Sequence, residues 1–133
     1  MTSESQEQIN LFTWANLQAC KIPELKLLFH IPNGGKRNIV TAKRLKAEGV
    51  KAGVPDLFLP VPRGGFHGLF IEMKAGKTKT TKKQDAWITD LRQQGYKAVV
   101  CYGCEQAMKE IKEYLFKNAK RRNNEKCIEV SWK

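Results

Sequence analysis

GVPDLFLPVPRGGFHGLFIEMK, residues 53 to 74, is the stretch that decides how this chain is read. Pro55-Asp56 opens a short apolar run, Leu57 to Leu59. A turn rich in proline and glycine follows, and a second run, Leu69 to Ile71, ends in Glu72-Met73-Lys74. Side chains alternate between the faces of a strand, so Glu72 and Lys74 share one face. Asp56, at the mouth of the neighbouring strand, can meet them there. Two carboxylates and an ammonium at one point are costly to assemble unless they act together. Oxygen ligands of this kind suit a hard divalent cation, Mg²⁺ or Mn²⁺. A lysine beside such a cation can steady a water or a charge developing on phosphate.

Downstream, Ala75 to Lys83 (AGKTKTTKK) leaves the sheet next to Lys74 and carries Lys77, Lys79, Lys82 and Lys83 with no acid. Lysines there can hold a phosphate backbone without reading sequence; an ordinary solvated loop is the plainer reading. Thr81 caps a helix running to Gln94, with Gly95 past its end. Gln84 completes a capping box with Thr81, which by itself accounts for it. Tyr96 to Tyr102 reads as a strand, and Glu105 to Phe116 as an amphipathic helix with Ala107, Met108, Ile111 and Leu115 on one side. Lys117 to Lys133 is basic and less regular, and CIEVSW at 127 to 132 is a possible late strand.

Upstream, Ser3 opens the first helix, with Ser3/Gln6 and Ser5/Gln8 both fitting a capping box. Ile9 with Phe12 and Leu11 with Ala15 give it an apolar face, and Pro23 marks its stop. Glu7 near the helix N-terminus is, by position, favourable dipole chemistry. Leu25 to Ile31 reads as a buried strand. It runs into Pro32-Asn33-Gly34-Gly35, a turn followed by Lys36 and Arg37 that can hold a phosphate or simply be a solvated loop. A short helix between Val40 and Glu48 ends at Gly49 and exposes Lys43, Arg44 and Lys46.

The 133 residues make one domain. Strands and helices in this order give an α/β class, a central mixed sheet flanked by helices. The net charge of +11 and sequence pI near 9.7 are the footprint of a nucleic-acid binder, because the basic residues cluster. No window approaches the ~18 apolar residues of a membrane span. The polar start, MTSESQEQIN, is no signal peptide, and four cysteines without one point to a reducing cytosol.

Asp56 with Glu72-Met73-Lys74 resembles the PD-(D/E)XK nuclease superfamily. HIPNGGKR (30 to 37), AEGVKAGVPDLFL (47 to 59) and KKQDAWITDLRQQGY (82 to 96) resemble its stand-alone VRR-NUC branch, the virus-type replication and repair nucleases. The likeness covers roughly residues 5 to 115. It implies a restriction-endonuclease-like core over residues 1–118, followed by a basic segment at 119–133. It implies a Mg²⁺- or Mn²⁺-dependent endonuclease, with Asp56, Glu72 and the Met73 carbonyl on the metal. Glu7 would be the first-helix acid that adds to the metal site, and Gln84 would orient a water or a phosphate beside Lys74. Asn33, Gly34, Lys36, Arg37, Lys43, Lys77, Lys79, Lys82 and Lys83 would contact nucleic acid. Small members act as homodimers on branched DNA such as four-way Holliday junctions, in the cytosol of a bacterial or virus-infected cell.

Two rivals stand beside this reading. Cys101-Tyr-Gly-Cys104 is a CxxC between a strand and a helix N-terminus, the setting of a redox thiol. It leaves Asp56, Glu72, Lys74 and the charge unexplained, and no second CxxC completes a zinc site. A catalytically silent nucleic-acid-binding module explains the charge equally well. It gains nothing, however, from carboxylates that repel phosphate, a penalty that a metal ion inverts.

Overall fold

The computed structural model describes residues 2–33 and 38–117. Gly34, Lys36 and Arg37 lie outside the described residues, as do segment 119–133 and its CIEVSW stretch. Among the described residues the elements are α1 (Glu4–Gln18), β1 (Phe29–His30), α2 (Ile39–Ala47), β2 (Leu57–Leu59), β3 (Leu69–Lys74), α3 (Lys82–Gln93), β4 (Lys97–Tyr102) and α4 (Cys104–Phe116). They form a single α/β domain around a mixed sheet of order β1-β2-β3-β4, the restriction-endonuclease-like arrangement expected from the sequence.

β2 and β3 run antiparallel, pairing Leu57 with Ile71 and Leu59 with Leu69. β3 and β4 run parallel from Leu69↔Lys97 to Lys74↔Tyr102, with α3 as the crossover that a parallel pair requires. β3 is buried along both faces but for half-buried Phe70, as a central strand should be. Leu69, Ile71 and Met73 enter the main core with Leu11, Ala15, Ala107, Ile111 and Leu115 of α1 and α4. On the other face Phe70 stacks on Phe58 with ring centroids 4.1 Å apart and meets Tyr96 edge-on. Glu72 and Lys74 continue that second face.

Ser3 caps α1, its hydroxyl accepting from Gln6 N at 3.1 Å. The box is not reciprocal: Ser3 accepts from Gln6 N, but the Gln6 side chain is seen only donating, from Nε2 to Asn10 Oδ1. Ser5 lies inside the helix and does not cap it. Leu11 and Ala15 are sealed in the core, whereas Ile9 is 55% exposed. The inward stripe is therefore Leu11 and Ala15, with half-buried Glu7 one turn before them, at i, i+4 and i+8.

The expected buried strand from Leu25 to Ile31 is a second correction. Pro23–Leu27 forms a 3₁₀ turn, with only Phe29–His30 extended and both exposed. Leu25 and Leu28 are the buried residues. Their spacing of three fits the 3₁₀ period, not the strand period of two. The expected helices at Val40–Glu48, 82–94 and 105–116 form within a residue or two, as does the strand ending at Tyr102.

Candidate active site

The site sits where β2 begins and β3 ends. Asp56 just precedes β2, and its Oδ2 accepts from the backbone N–H of Met73 at 2.8 Å. One side-chain oxygen thus extends the β2–β3 ladder past its last backbone pair. In a strand the N–H and C=O of one residue leave on the same side, so the Met73 carbonyl also faces the Asp56 side. The arrangement brings Asp56, Glu72 and the Met73 backbone to one place.

Glu72 is 2% exposed and Lys74 5% exposed, with Lys74 Nζ 3.6 Å from Glu72 Oε2. That oxygen also accepts from Gln84 Nε2 at 3.2 Å. The other oxygen, Oε1, is buried and accepts from no group among the described residues. A buried carboxylate oxygen without a donor is expensive. Accordingly the Glu72 carboxyl is pushed up to about 8, first by burial and then by the Asp56 carboxylate, with Lys74 pulling the other way. The unmatched oxygen and the purely oxygen donor set fit a hard divalent cation, which Mg²⁺ sites commonly hold with one or two carboxylates. Asp56, Glu72 and the Met73 carbonyl are the residues that would hold it.

Gln84 serves two partners with one amide. Its Oε1 accepts from Thr81 N at 2.9 Å and Thr81 Oγ1 accepts from Gln84 N at 3.2 Å, a complete capping box. Its Nε2 remains free for Glu72. The cap and the site contact, posed as alternatives by the sequence, are the two ends of one side chain. Gly53 lets the β2 approach loop press against α3: at φ +94° a Cβ there would lie 2.9 Å from the Lys83 backbone.

Glu7 goes elsewhere. Its Oε1 accepts from Cys104 N at 2.7 Å, across Gly103, where an added Cβ would stand 3.0 Å from that oxygen. It caps the N-terminus of α4 behind the Lys74 end of β3, where Gly103 N donates to the Lys74 carbonyl. The Cys104 amide, and then the Thr2 side chain, hold the Glu7 carboxyl below the usual range. The structure does not group it with Asp56 and Glu72. Among the described residues no three His, Cys, Asp or Glu side chains cluster closely enough to hold a metal.

The same contact corrects the expectation of a low thiol pKa at Cys104. The helix N-terminus is already taken by a carboxylate. Burial, then Glu7 and Glu105, push the Cys104 thiol up. Burial pushes Cys101 up to about 12. Both thiols are free, and Cys104 Sγ lies 3.5 Å from Met108 Sδ.

Of the residues expected to contact nucleic acid, Lys43 is exposed on α2, Lys77 and Lys79 on the loop after β3, and Lys82 and Lys83 on the first turn of α3. Asn33 and Lys83 line a hollow of about 490 Å³ that also meets Gln84. Sequence reasoning missed Tyr102, whose hydroxyl donates to the Thr78 carbonyl at 2.9 Å and pins the lysine loop beside Lys74. The pairing of Lys74 with Tyr102 is a matter of register that no local pattern records.

A mixed sheet that presents Asp56, Glu72 and Lys74 at one strand end, on this topology, defines a nuclease-type α/β domain. The family model of the VRR-NUC domain matches residues 3–105, and the chain belongs to that family. A solved structure titled "VRR_NUC domain protein" is 34% identical, with a TM-score of 0.73 over 86% of this chain and 88% of that one. No curated protein matches the chain. No helix among the described residues is long and apolar enough to cross a membrane.

Proposed function

We propose that this VRR-NUC protein is a Mg²⁺- or Mn²⁺-dependent endodeoxyribonuclease that hydrolyses phosphodiester bonds in branched DNA. The observation that carries the reading is buried Glu72, with one oxygen bound by Lys74 and Gln84 and the other without a donor. A divalent cation at Asp56, Glu72 and the Met73 carbonyl would supply charge for the phosphate and acidify a bound water. Lys74 orients the attacking water and faces the charge that develops on the phosphate. Its near-complete burial makes that charge effective, because little water screens it. Gln84 fixes the Glu72 carboxylate. Glu7 acts by seating α4 behind the site. Lys43, Lys77, Lys79, Lys82 and Lys83 hold the DNA backbone, with Asn33 beside them, and so would Gly34, Lys36 and Arg37. Affinity therefore falls steeply with salt.

A two-fold homodimer would present two such sites at fixed separation, which suits a four-way junction. The net charge of +11 fits a protein working on DNA. The test is cleavage of labelled four-way junction, duplex and single-stranded DNA in Mg²⁺ and in Mn²⁺, with Lys74→Ala as control. Junction cleavage by the wild type alone supports the whole reading. Binding without cleavage in either metal would favour a catalytically silent DNA-binding module. Gel filtration giving only monomer would remove the junction geometry and leave the nuclease.

A further inference from the structure

Between α2 and α3 lies a cleft of about 820 Å³. One wall is a stripe of α3 formed by Lys83, Trp87 and Asp90, at helical spacing. Leu45 and Lys46 of α2 line the other, together with Lys51 beyond the helix. α2 buries none of its residues fully, so the gap is not filled by core packing. The cleft shares Asn33, Ala52 and Lys83 with the smaller hollow that reaches Gln84, the residue bonded to Glu72.

The chemistry of this space is specific. Three lysines face one acid, so its field favours an anion. The half-buried Trp87 and Leu45 line the same cleft. The volume lies in the ~300–1,000 Å³ range of small-ligand sites. A cleft lined by an aromatic side chain and by lysines offers what single-stranded nucleic acid uses: a base can stack and the phosphates can pair. A paired duplex has no free base face to offer, and a phosphate contact alone would leave the indole without use. An apolar peptide would leave three lysines without counter-charge.

We propose that this cleft takes an unpaired nucleotide of the DNA strand next to the cleavage point. The base stacks on Trp87, and Lys46, Lys51 and Lys83 seat the phosphates. The inference rests on the nuclease reading above. It makes selectivity for branched DNA depend on exposed bases at the branch, not on two-fold symmetry alone.

The test compares labelled paired duplex with the same duplex carrying a single-stranded flap, bound in chelator, and follows cleavage of both in Mn²⁺. Trp87→Ala is expected to lower affinity for the flapped DNA about tenfold relative to paired duplex, and Trp87→Phe to retain most of it. A short oligothymidine should quench the wild-type tryptophan emission, and Trp87→Phe should lose that quench while still binding. This readout holds even if Trp87→Ala fails to fold, since the other tryptophans, Trp14 and Trp132, remain as a reference. Equal loss on both DNAs, or a quench that persists in Trp87→Phe, overturns the proposal. If wild type cleaves paired duplex yet gains nothing from the flap, the cleft proposal alone falls. If it neither binds nor cleaves any DNA, the nuclease reading falls with it.

Discussion

Lys74 Nζ stands 3.6 Å from Glu72 Oε2 in a pocket where both side chains are almost sealed from solvent. The ammonium and the carboxylate alternate with Met73 on the central strand and so meet on one face. Lys74→Ala removes the one cation among the described residues that pairs with Glu72, and with it the group placed to meet the phosphate. Cleavage in Mn²⁺ is expected to fall at least ~100-fold, the loss typical of a missing transition-state donor. Gel-based turnover at saturating DNA measures it, and near-wild-type turnover would remove Lys74 from the chemistry.

Glu72 makes metal-free stability depend on pH. Its folded pKa is raised, to about 8, so the protonated form is the one the fold prefers. That contribution is complete below the ordinary carboxyl value of 4.5 and is lost as pH rises through about 8. In chelator, the wild-type Tm should therefore drop over this window relative to Glu72→Gln. Mn²⁺ should restore the wild type at the upper end by binding the folded carboxylate, and leave Glu72→Gln unmoved. Parallel melting curves would sink the metal assignment.

Gln84 can be split into its two contacts. Gln84→Ala loses the capping box and the bond to Glu72, and should cost about 1 kcal/mol of stability as well as activity. Gln84→Glu keeps the box, since glutamate caps equally well, but sets a third carboxyl against Glu72. It should preserve stability near pH 7 better than alanine does while still lowering turnover. Urea melts and cleavage rates on the same preparations separate the two effects.

Glu7 is predicted to act as a cap. Its folded pKa is lowered, so its stabilisation is present above the ordinary value of 4.5 and is lost as pH falls through the lower folded value. Glu7→Ala should melt earlier than wild type at neutral pH, with the gap closing in acid. Glu7→Gln keeps an acceptor for the Cys104 amide but no charge for the helix terminus, and should fall between them. If Glu7→Ala instead abolished stabilisation by Mn²⁺ at unchanged metal-free Tm, Glu7 would be a ligand.

The thiols of the CxxC should be inert. Raised pKa values keep Cys101 and Cys104 protonated at pH 8, and only thiolate reacts. A maleimide pulse on the native protein, read by peptide mass, should label exposed Cys20 well before Cys101. Rapid labelling or oxidation of Cys101 and Cys104 as a pair would restore the redox reading.

Much of the architecture was legible in local pattern. The 3.6-residue period and the caps marked α1, α3 and α4, because a helix satisfies its hydrogen bonds within one segment. The period of two placed Glu72 and Lys74 on one face before any partner was known. Where local patterns overlap, the sequence could not choose. The apolar run from Leu25 to Ile31 reads as a buried strand until Leu25 and Leu28, three apart, prove to be its buried pair, and Ile9 could not be told from Leu11 until a sheet lay against one of them.

What only the tertiary structure decided is where each long-range hydrogen bond ends. Asp56 takes the Met73 amide seventeen residues away, Glu7 takes the Cys104 amide ninety-seven away, and the Gln84 amide reaches Glu72 while its oxygen still caps α3. No period records such pairings, since they depend on strand register and on which helix end faces which strand end. The sequence by itself determined the chemistry available: two carboxylates, a lysine and a basic surface on an α/β frame. The fold determined which of these groups are buried together, and burial is what turns Glu72 and Lys74 from ordinary charges into a site.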